Sequence, residues 1–332
     1  MTVRYRPLVQ QDTLRPPEAV ALHGGPLWFA SVEVLERGAP GHLIPAEKAP
    51  HDVLTRLSTA HLPIAGLDLT QPHVMGILNV TPDSFSDGGK HVTPQVAVQS
   101  ALAMVAAGAT IIDIGGESTR PGSETVPDDE EIARTAPVIA AIRAQSDVPI
   151  SIDTRKLAVA RAAVEAGATL INDVSGFEYD PELAPYCVEN GLPVCIMHAQ
   201  GDPATMQMAP RYDDVLLDVY DFLEAAVHRL EDAGMPRGAM LVDPGIGFGK
   251  SKDHNLSLLR NLSLFHGLGC GVLLGVSRKK FIGTIGEEPV ADRRVAGSIA
   301  VGLAGLAQGV QILRVHDVPE TVQAVRLWNA VR

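Results

Sequence analysis

Ionisable and amide side chains stand at the ends of apolar runs along much of this chain. Asn79 ends VMGILN, Asp113 lies in TIIDIG, Asp153 ends PISID, and Asn172 with Asp173 lies in TLINDV. Further on, His198 follows PVCIM, Asp243 follows AMLV, Ser277 follows GVLLGV, and Arg314 with His316 closes QILRVH. One polar residue at a strand end is ordinary, because strands enter loops there. A polar group at the end of every run describes a ring of functional groups around one pocket. Asp153, Asn172 and Asp243 place carboxylates beside an amide. That set matches a heterocycle with adjacent N–H donors and a carbonyl, such as a 2-amino-4-oxo ring. The alternative for any one of them is a loop cap or a pair with Arg155. Arg314 and His316 alternate in a strand, so they point the same way and are placed to grip one anion.

The loops add to this inventory. NVTPDSFSDGG (79–89) is rich in Asp, Ser and Gly, and suits a mobile lid, an oxygen site for a hard cation, or a solvated turn. In DIGGESTRPGSE (113–124), Gly115 and Gly116 let backbone approach a ligand, while Thr119 offers a hydroxyl and Arg120 a cation. DPGIGFGK (243–250) lacks the spacing of a nucleotide phosphate loop and has no Ser or Thr after its Lys. Its Phe248 is instead suited to stack on a flat ring. SRKK (277–280) sets cations after the seventh apolar run. No Ser–His–Asp or Cys–His arrangement stands out; Cys187 and Cys195 read as core, and His198 as a pocket wall or a loop hydrogen-bonder. The chemistry implied is positioning and electrostatics with a metal-bound leaving group, and no covalent intermediate.

Residues of this kind need elements to hold them. The apolar runs are 74–80, 110–115, 149–153, 169–174, 193–198, 239–244, 271–276 and 310–315, eight in all. Between them lie helical patterns at 94–108, 156–167, 212–234 and 291–309. Thr93 and Pro94 stand at N-cap and first helical positions. Several helices finish in Gly just before the next run (AAGATIIDIGG, EAGATLINDVSG, AQGVQILRVHD), as parallel α/β units do. Eight such units describe a (β/α)8 TIM barrel, whose active site gathers at the C-terminal strand ends. A doubly wound open sheet is the alternative, more typically with five or six strands. Residues 1–72 read as an N-terminal extension to the barrel at 73–332. They are Pro-rich, with a strand-like stretch at 28–37 and a possible helix around 46–60. The extension's role is open: a cover for the barrel bottom, an assembly surface or a small subdomain.

The chain has 332 residues, 39 Asp plus Glu against 27 Lys plus Arg, and a net charge of −12. That balance argues against a general nucleic-acid binder. Residues 271–332 reverse the sign, with 8 Lys plus Arg against 5 Asp plus Glu, so cations concentrate around the seventh and eighth strand ends. Barrels commonly bind phosphate there. Three cysteines make no disulfide framework, no secretory signal opens the chain, and no run reaches membrane-spanning length. A cytoplasmic globular protein is the expectation.

GILNVTPDSFSDGG, DIGGESTRPG, SIDTRK, NDVSG, DPGIGFGK, GVSRKKFIG and RVHDV resemble, in order, the signature blocks of the dihydropteroate synthase family over about residues 73–332. The resemblance implies condensation of 4-aminobenzoate with 6-hydroxymethyl-7,8-dihydropterin diphosphate. Pyrophosphate is released, Mg2+ is required, and 7,8-dihydropteroate forms for folate synthesis. Sulfonamides compete at the aminobenzoate site. Carried over, Asp113, Asp153, Asn172, Asp243 and Lys279 hold the pterin, and Met197 and Phe248 give apolar contact. Asn79, Arg314 and His316 bind the diphosphate and its Mg2+. Phe85, Thr119, Arg120 and Ser277 complete the aminobenzoate site, with Arg278 near it. The resemblance also implies lids at about 82–92 and 119–127. Asp153, Lys279, Arg314 and His316 are the expected catalytic group.

The nearest rival is a pterin-binding methyltransferase, which binds no diphosphate and has no use for SRKK with Arg314 and His316. A catalytically silent pterin-binding paralogue predicts lost loop or anion residues, and none of the expected ones is missing. The Gly- and Ala-rich helix at 295–309, with the family resemblance, points to a homodimer.

Overall fold

The computed structural model describes residues 3–81, 94–118, 125–201 and 210–332. Eight parallel strands close into a barrel in sequence order. They are β1 (His73–Asn79), β2 (Ile111–Gly115), β3 (Ile150–Asp153) and β4 (Leu170–Asp173). The circuit continues through β5 (Val194–Met197), β6 (Met240–Asp243), β7 (Gly271–Leu274) and β8 (Ile312–Val315). β8 pairs with β1, Ile312 opposite His73 and Arg314 opposite Met75, which completes the circuit. The TIM barrel expected from the eight apolar runs is the observed architecture.

The helices outside fall close to their sequence patterns. They span Pro94–Ala107, Leu157–Ala166, Val215–Asp232 and Val295–Leu306 where 94–108, 156–167, 212–234 and 291–309 were expected. The last begins late because Ala291–Arg293 forms a separate 3-10 turn. The glycine stops behave as sequence implies: Gly108, Gly167 and Gly309 take φ of 110°, 114° and 93°. In each case the next residue reaches back five positions, Ala109 N to Met104 O, Ala168 N to Ala163 O and Val310 N to Gly305 O. This closes the helix and turns the chain into the following strand.

Alternation along the strands sorts side chains into two sets. Val74, Ile112, Ile114, Ile150, Ile152 and Val242 pack outward against the helices. Met75, Ile111, Leu170, Cys195, Leu241, Leu273 and Ile312 pack together inside the barrel's lower half. Residues two and four positions further along each strand therefore point into the mouth.

Residues 3–72 close the other end. A tight hairpin, with Ile64 N and O bonded to Leu67 O and N, inserts Ile64, Leu67 and Leu69 among the lower interior residues. Its central Ala65 and Gly66 have φ of 49° and 83°, the double positive φ of a two-residue hairpin turn. The strand-like stretch at 28–37 changes partners at Ala30. Trp28–Phe29 pairs with Val20–Ala21, and Ser31–Leu35 lies between Arg4–Pro7 and His42–Pro45 in a three-stranded sheet. The helix expected at 46–60 covers His51–Ser58. Leu22, Leu27, Phe29, Val32, Val53 and Leu57 give this region its own apolar cluster. Arg4, bonded to Asp221 and Glu224, clasps it to the Val215–Asp232 helix. No helix among the described residues is long and apolar enough to cross a membrane.

Candidate active site

The mouth of the barrel is built from the last inward positions of the strands. Asp113 of β2 is fully buried, and Asp153 of β3, Asn172 of β4 and Asp243 of β6 nearly so. Arg314, on β8, reaches across the interior. Its Nε donates to Asp113 Oδ2 at 2.6 Å and its NH2 to Asp153 Oδ2 at 2.7 Å. Asn172 Nδ2 donates to both Asp113 oxygens, at 3.4 and 3.3 Å. Two carboxylates, Arg314 and one amide are thus joined by hydrogen bonds, with Asp243 and Lys279 within electrostatic reach of Arg314. The heterocycle-matching residues are together, and Arg155 is not their partner. It pairs instead with Glu117 at 3.0 Å and lies over the Tyr179 ring.

Burial dominates the electrostatics. It pushes the Asp153 carboxyl up to about 7; Arg314 pulls the other way and Asp113 adds to the rise. Asp243 is raised by burial too, opposed by the Gly245 N–H that donates to its Oδ1 at 2.7 Å. Lys279 is drawn down to about 8 by burial, with Asp243 opposing. Burial also works against the Arg314 charge, but Asp113 and Asp153 outweigh it and raise its pKa. A carboxylic acid poised near neutrality beside a fixed cation is the kind of perturbation that marks functional sites.

Two glycines leave room above this patch. A Cβ on Gly115 would lie 3.5 Å from Asp153 Cβ and 3.8 Å from Asn79 Oδ1. A Cβ on Gly275 would lie 3.6 Å from Asp243 Oδ2. Side chains at either position would take up space between the polar groups. Phe248 and Lys279 meet at one edge, with Lys279 Nζ 4.0 Å from the ring centroid. Met197, the inward end of β5, is buried at the floor of the same region.

Arg314 and His316, expected on one strand face, bond separately, and His316 lies just past the end of β8. His316 N donates to Ser277 Oγ at 3.2 Å, and its Nδ1 lies 3.0 Å from the same oxygen. Ser277 therefore ties the loop after β7 to the end of β8. Arg278 turns away, bonded to both Asp317 oxygens and to Asp292. Its φ of 60° is a left-handed conformation unusual for a side chain of this size. Phe85, Thr119 and Arg120, with most of the two loops expected as lids, lie outside the described residues.

Two constellations escaped the sequence reading. Lys156 Nζ donates to Glu117 Oε2 and Glu131 Oε2, both at 2.7 Å, and to Val126 O at 2.6 Å. This buried ion network anchors both sides of the loop after β2. Its traces in the sequence were Glu117 of DIGGESTRPG and Lys156 of SIDTRK, which carry no sign of their pairing. The second is Lys250, whose ammonium lies inside the DPGIGFGK loop and touches His198. His198 is thus a loop hydrogen-bonder, one of its two expected roles. All three cysteines are free and buried, and burial pushes the Cys195 thiol well up, in keeping with a chemistry that uses no thiolate.

The profile of the pterin binding enzyme family matches residues 75–316. Dihydropteroate synthase of Escherichia coli K12 is 49% identical over 264 residues, covering 80% of this chain and 93% of that protein. The crystal structure of Yersinia pestis dihydropteroate synthase with a sulfonamide drug complex superposes with a TM-score of 0.77 at 47% identity. It covers 82% of this chain and 99% of that one. The Xanthomonas albilineans enzyme in complex with 7,8-dihydropteroate gives a TM-score of 0.73 at 44% identity, over 80% of this chain and 95% of that one. Its barrel, its ring of mouth residues and these likenesses agree: the chain belongs to the pterin-binding enzymes and, among them, to the dihydropteroate synthase family.

Proposed function

We propose that the protein joins 4-aminobenzoate to 6-hydroxymethyl-7,8-dihydropterin diphosphate, releasing pyrophosphate and forming 7,8-dihydropteroate for folate synthesis. The observation that carries this reading is the contact set of Asp113, Asp153, Asn172 and Arg314 at the mouth of a barrel of this family. Asp113, Asp153, Asn172, Asp243 and Lys279 hold the pterin, matching its ring N–H and amino donors with carboxylates. Met197 and Phe248 supply its apolar walls. Arg314 and His316 take the diphosphate, Ser277 joins Phe85, Thr119 and Arg120 around the aminobenzoate, and Arg278 stands at its edge.

The bond between the pterin methylene carbon and the diphosphate oxygen breaks as positive charge builds on the carbon. Asp153, ionised above about 7, lies where a carboxylate stabilises that charge. The arylamine nitrogen then attacks, and its proton leaves to water, so no strong protein base is required. Among the described residues no group of three His, Cys, Asp or Glu side chains is set to hold a metal. Asn79 Oδ1, facing the open space beside Gly115 at the end of β1, is a single oxygen ligand of the kind that suits a Mg2+ ion carried in on the diphosphate with most of its waters. Asn79 would be its protein ligand, and the ion when bound would offset charge on the departing pyrophosphate. The cytoplasm, where three free thiols stay reduced, is its compartment in this reading. A second copy packs against the Val295–Leu306 helix, beside exposed Ile285 and Val290.

The test is pyrophosphate release measured with both substrates and Mg2+, with and without a sulfonamide. Release that needs 4-aminobenzoate and falls with the sulfonamide is expected. Release without 4-aminobenzoate would mean hydrolysis and refute the synthase reading.

A further inference from the structure

Lys250 closes the DPGIGFGK loop, but its side chain does not reach the mouth. It is 3% exposed, and its Nζ points back into the loop. It donates to Gly245 O at 2.9 Å, Phe248 O at 3.0 Å and His198 Nδ1 at 2.8 Å, with His198 O at 3.3 Å. An ammonium has donors only, so His198 accepts at Nδ1 and carries its proton on Nε2. Burying a charge is costly unless it is fully hydrogen-bonded, and here every N–H finds an acceptor.

The loop is also held by Gly247 N, which donates to Asn255 Oδ1 at 2.7 Å, and by Phe248 N, which donates to Gly245 O at 3.1 Å. Among the described residues only Lys250 joins the loop's two ends to β5 through one group. Gly245, Gly247 and Gly249 have φ of 65°, 86° and 62°, so the backbone is bent three times in a left-handed sense. A Cβ on Gly245 would lie 1.9 Å from His198 O, and one on Gly249 2.4 Å from Gln200 O. The loop is therefore pressed against the end of β5, with Tyr212 OH donating to Gly249 O at 2.8 Å. The two carbonyls of its own loop that Lys250 binds belong to residues that define the mouth. Gly245 N orients the Asp243 carboxylate, and Phe248 carries the ring beneath Lys279.

Resting on the proposed reaction, we infer that Lys250 is a positioning residue for the pterin subsite, fixing Asp243 and Phe248 through the backbone of the loop between them. It touches no substrate. Its charge is held against burial by Asp243, while Lys279 opposes it, and burial draws it down to about 7. The faces around it also carry His198 and Tyr212. Displacing such groups by an ångström costs up to about a hundredfold in reactivity.

The experiment uses the full chain with Lys250→Met, which keeps the stem and removes the donors, and Tyr212→Phe, which frees one bond of the same loop. Steady-state constants are measured for each substrate, and 6-hydroxymethylpterin binding is followed by calorimetry. Lys250→Met should raise the pterin-diphosphate KM and weaken 6-hydroxymethylpterin binding by about tenfold or more. The 4-aminobenzoate KM should stay within about threefold. Tyr212→Phe should shift the same constants by about two- to fivefold, and it carries the test if Lys250→Met is recovered unfolded. A merely structural lysine would lower the yield of active protein and leave both the KM values and the binding unchanged, which overturns the inference. Equal weakening for both substrates overturns it as well. If the wild type releases no pyrophosphate yet binds 6-hydroxymethylpterin Lys250-dependently, the reaction is wrong and the positioning role stands.

Discussion

Three imidazoles meet where the N-terminal extension packs on the barrel floor, and they make the fold acid-sensitive. His23 and His61 belong to the extension, and His266 to the 3-10 turn Leu262–Leu268 ahead of β7. The His23 ring lies 4.0 Å from that of His61 and 5.1 Å from that of His266, centroid to centroid. His23 Nδ1 faces Thr59 O at 3.3 Å and His266 Nε2 faces Gln308 O at 2.9 Å. Three of the remaining nitrogens, His23 Nε2, His61 Nε2 and His266 Nδ1, are buried without a hydrogen-bond partner among the described residues. Burial drives His61 and His266 each down to about 4, and His23 well below its ordinary value of 6.5, with neighbouring imidazoles adding to the fall for His23 and His266. A folded-state pKa below the unfolded one means the unfolded chain takes up protons first. The stability these groups allow is present above pH 6.5 and is lost as pH falls toward about 4. Each histidine changes the unfolding free energy by about 1.4 kcal/mol per pH unit in that window. Between pH 7.5 and pH 5.0, His61 and His266 together should remove about 4 kcal/mol. The assay is urea unfolding of the wild type and a His61→Gln/His266→Gln variant at pH 7.5, 6.5, 5.5 and 5.0. The wild type should lose that much more stability across the range than the variant. His198, depressed to about 2 by burial and Lys250, has the same sign but is common to both proteins. Parallel pH slopes for the two proteins would refute the reasoning.

Arg314→Ala leaves Asp113 and Asp153 buried without their cation, so turnover should vanish and stability should drop by about 3–5 kcal/mol. Without Arg314, which pulls it down, the Asp153 carboxyl is raised further above its unfolded value. The folded state takes up protons first, so the deficit against wild type should shrink between pH 8 and pH 5.5 in thermal unfolding; a constant deficit speaks against this. Leu67→Ala opens a hole in the barrel floor and should cost about 2–5 kcal/mol in denaturant unfolding. Its kcat and KM values at 25 °C should stay within about twofold, because the floor is remote from the mouth.

Much of this was visible in the amino-acid order because it is local. Gly108, Gly167 and Gly309 end helices through contacts five residues back, and alternation along β2 and β3 aims Asp113 and Asp153 inward before any partner is known. What stayed hidden depends on closure. Arg314 finds Asp113 across 201 positions, so sequence shows it as an anion ligand and cannot show that carboxylates hold it first. The floor hairpin is three apolar residues in a stretch with no period, meaningful only once a barrel stands above it. Lys250 in a run of glycines looks solvated, whereas positive φ at its neighbours folds the loop around it. The ion network of Glu117, Glu131 and Lys156 is likewise assembled from the loop after β2, the Asp128–Arg143 helix and the loop after β3.

The cavity lined by Leu22, His23 and Leu69 is lined also by Trp328 and Arg332. Arg332 is held there over the Trp328 ring, 4.6 Å from its centroid. Trp328 and Arg332 are therefore moored at the floor, opposite the ring of functional groups. A protein immobilised through a tag joined directly after Arg332 would stand on a sensor surface with its mouth facing the solution. Substrates and inhibitors would then reach a uniformly oriented array, and a fused partner at that end would leave their entrance clear.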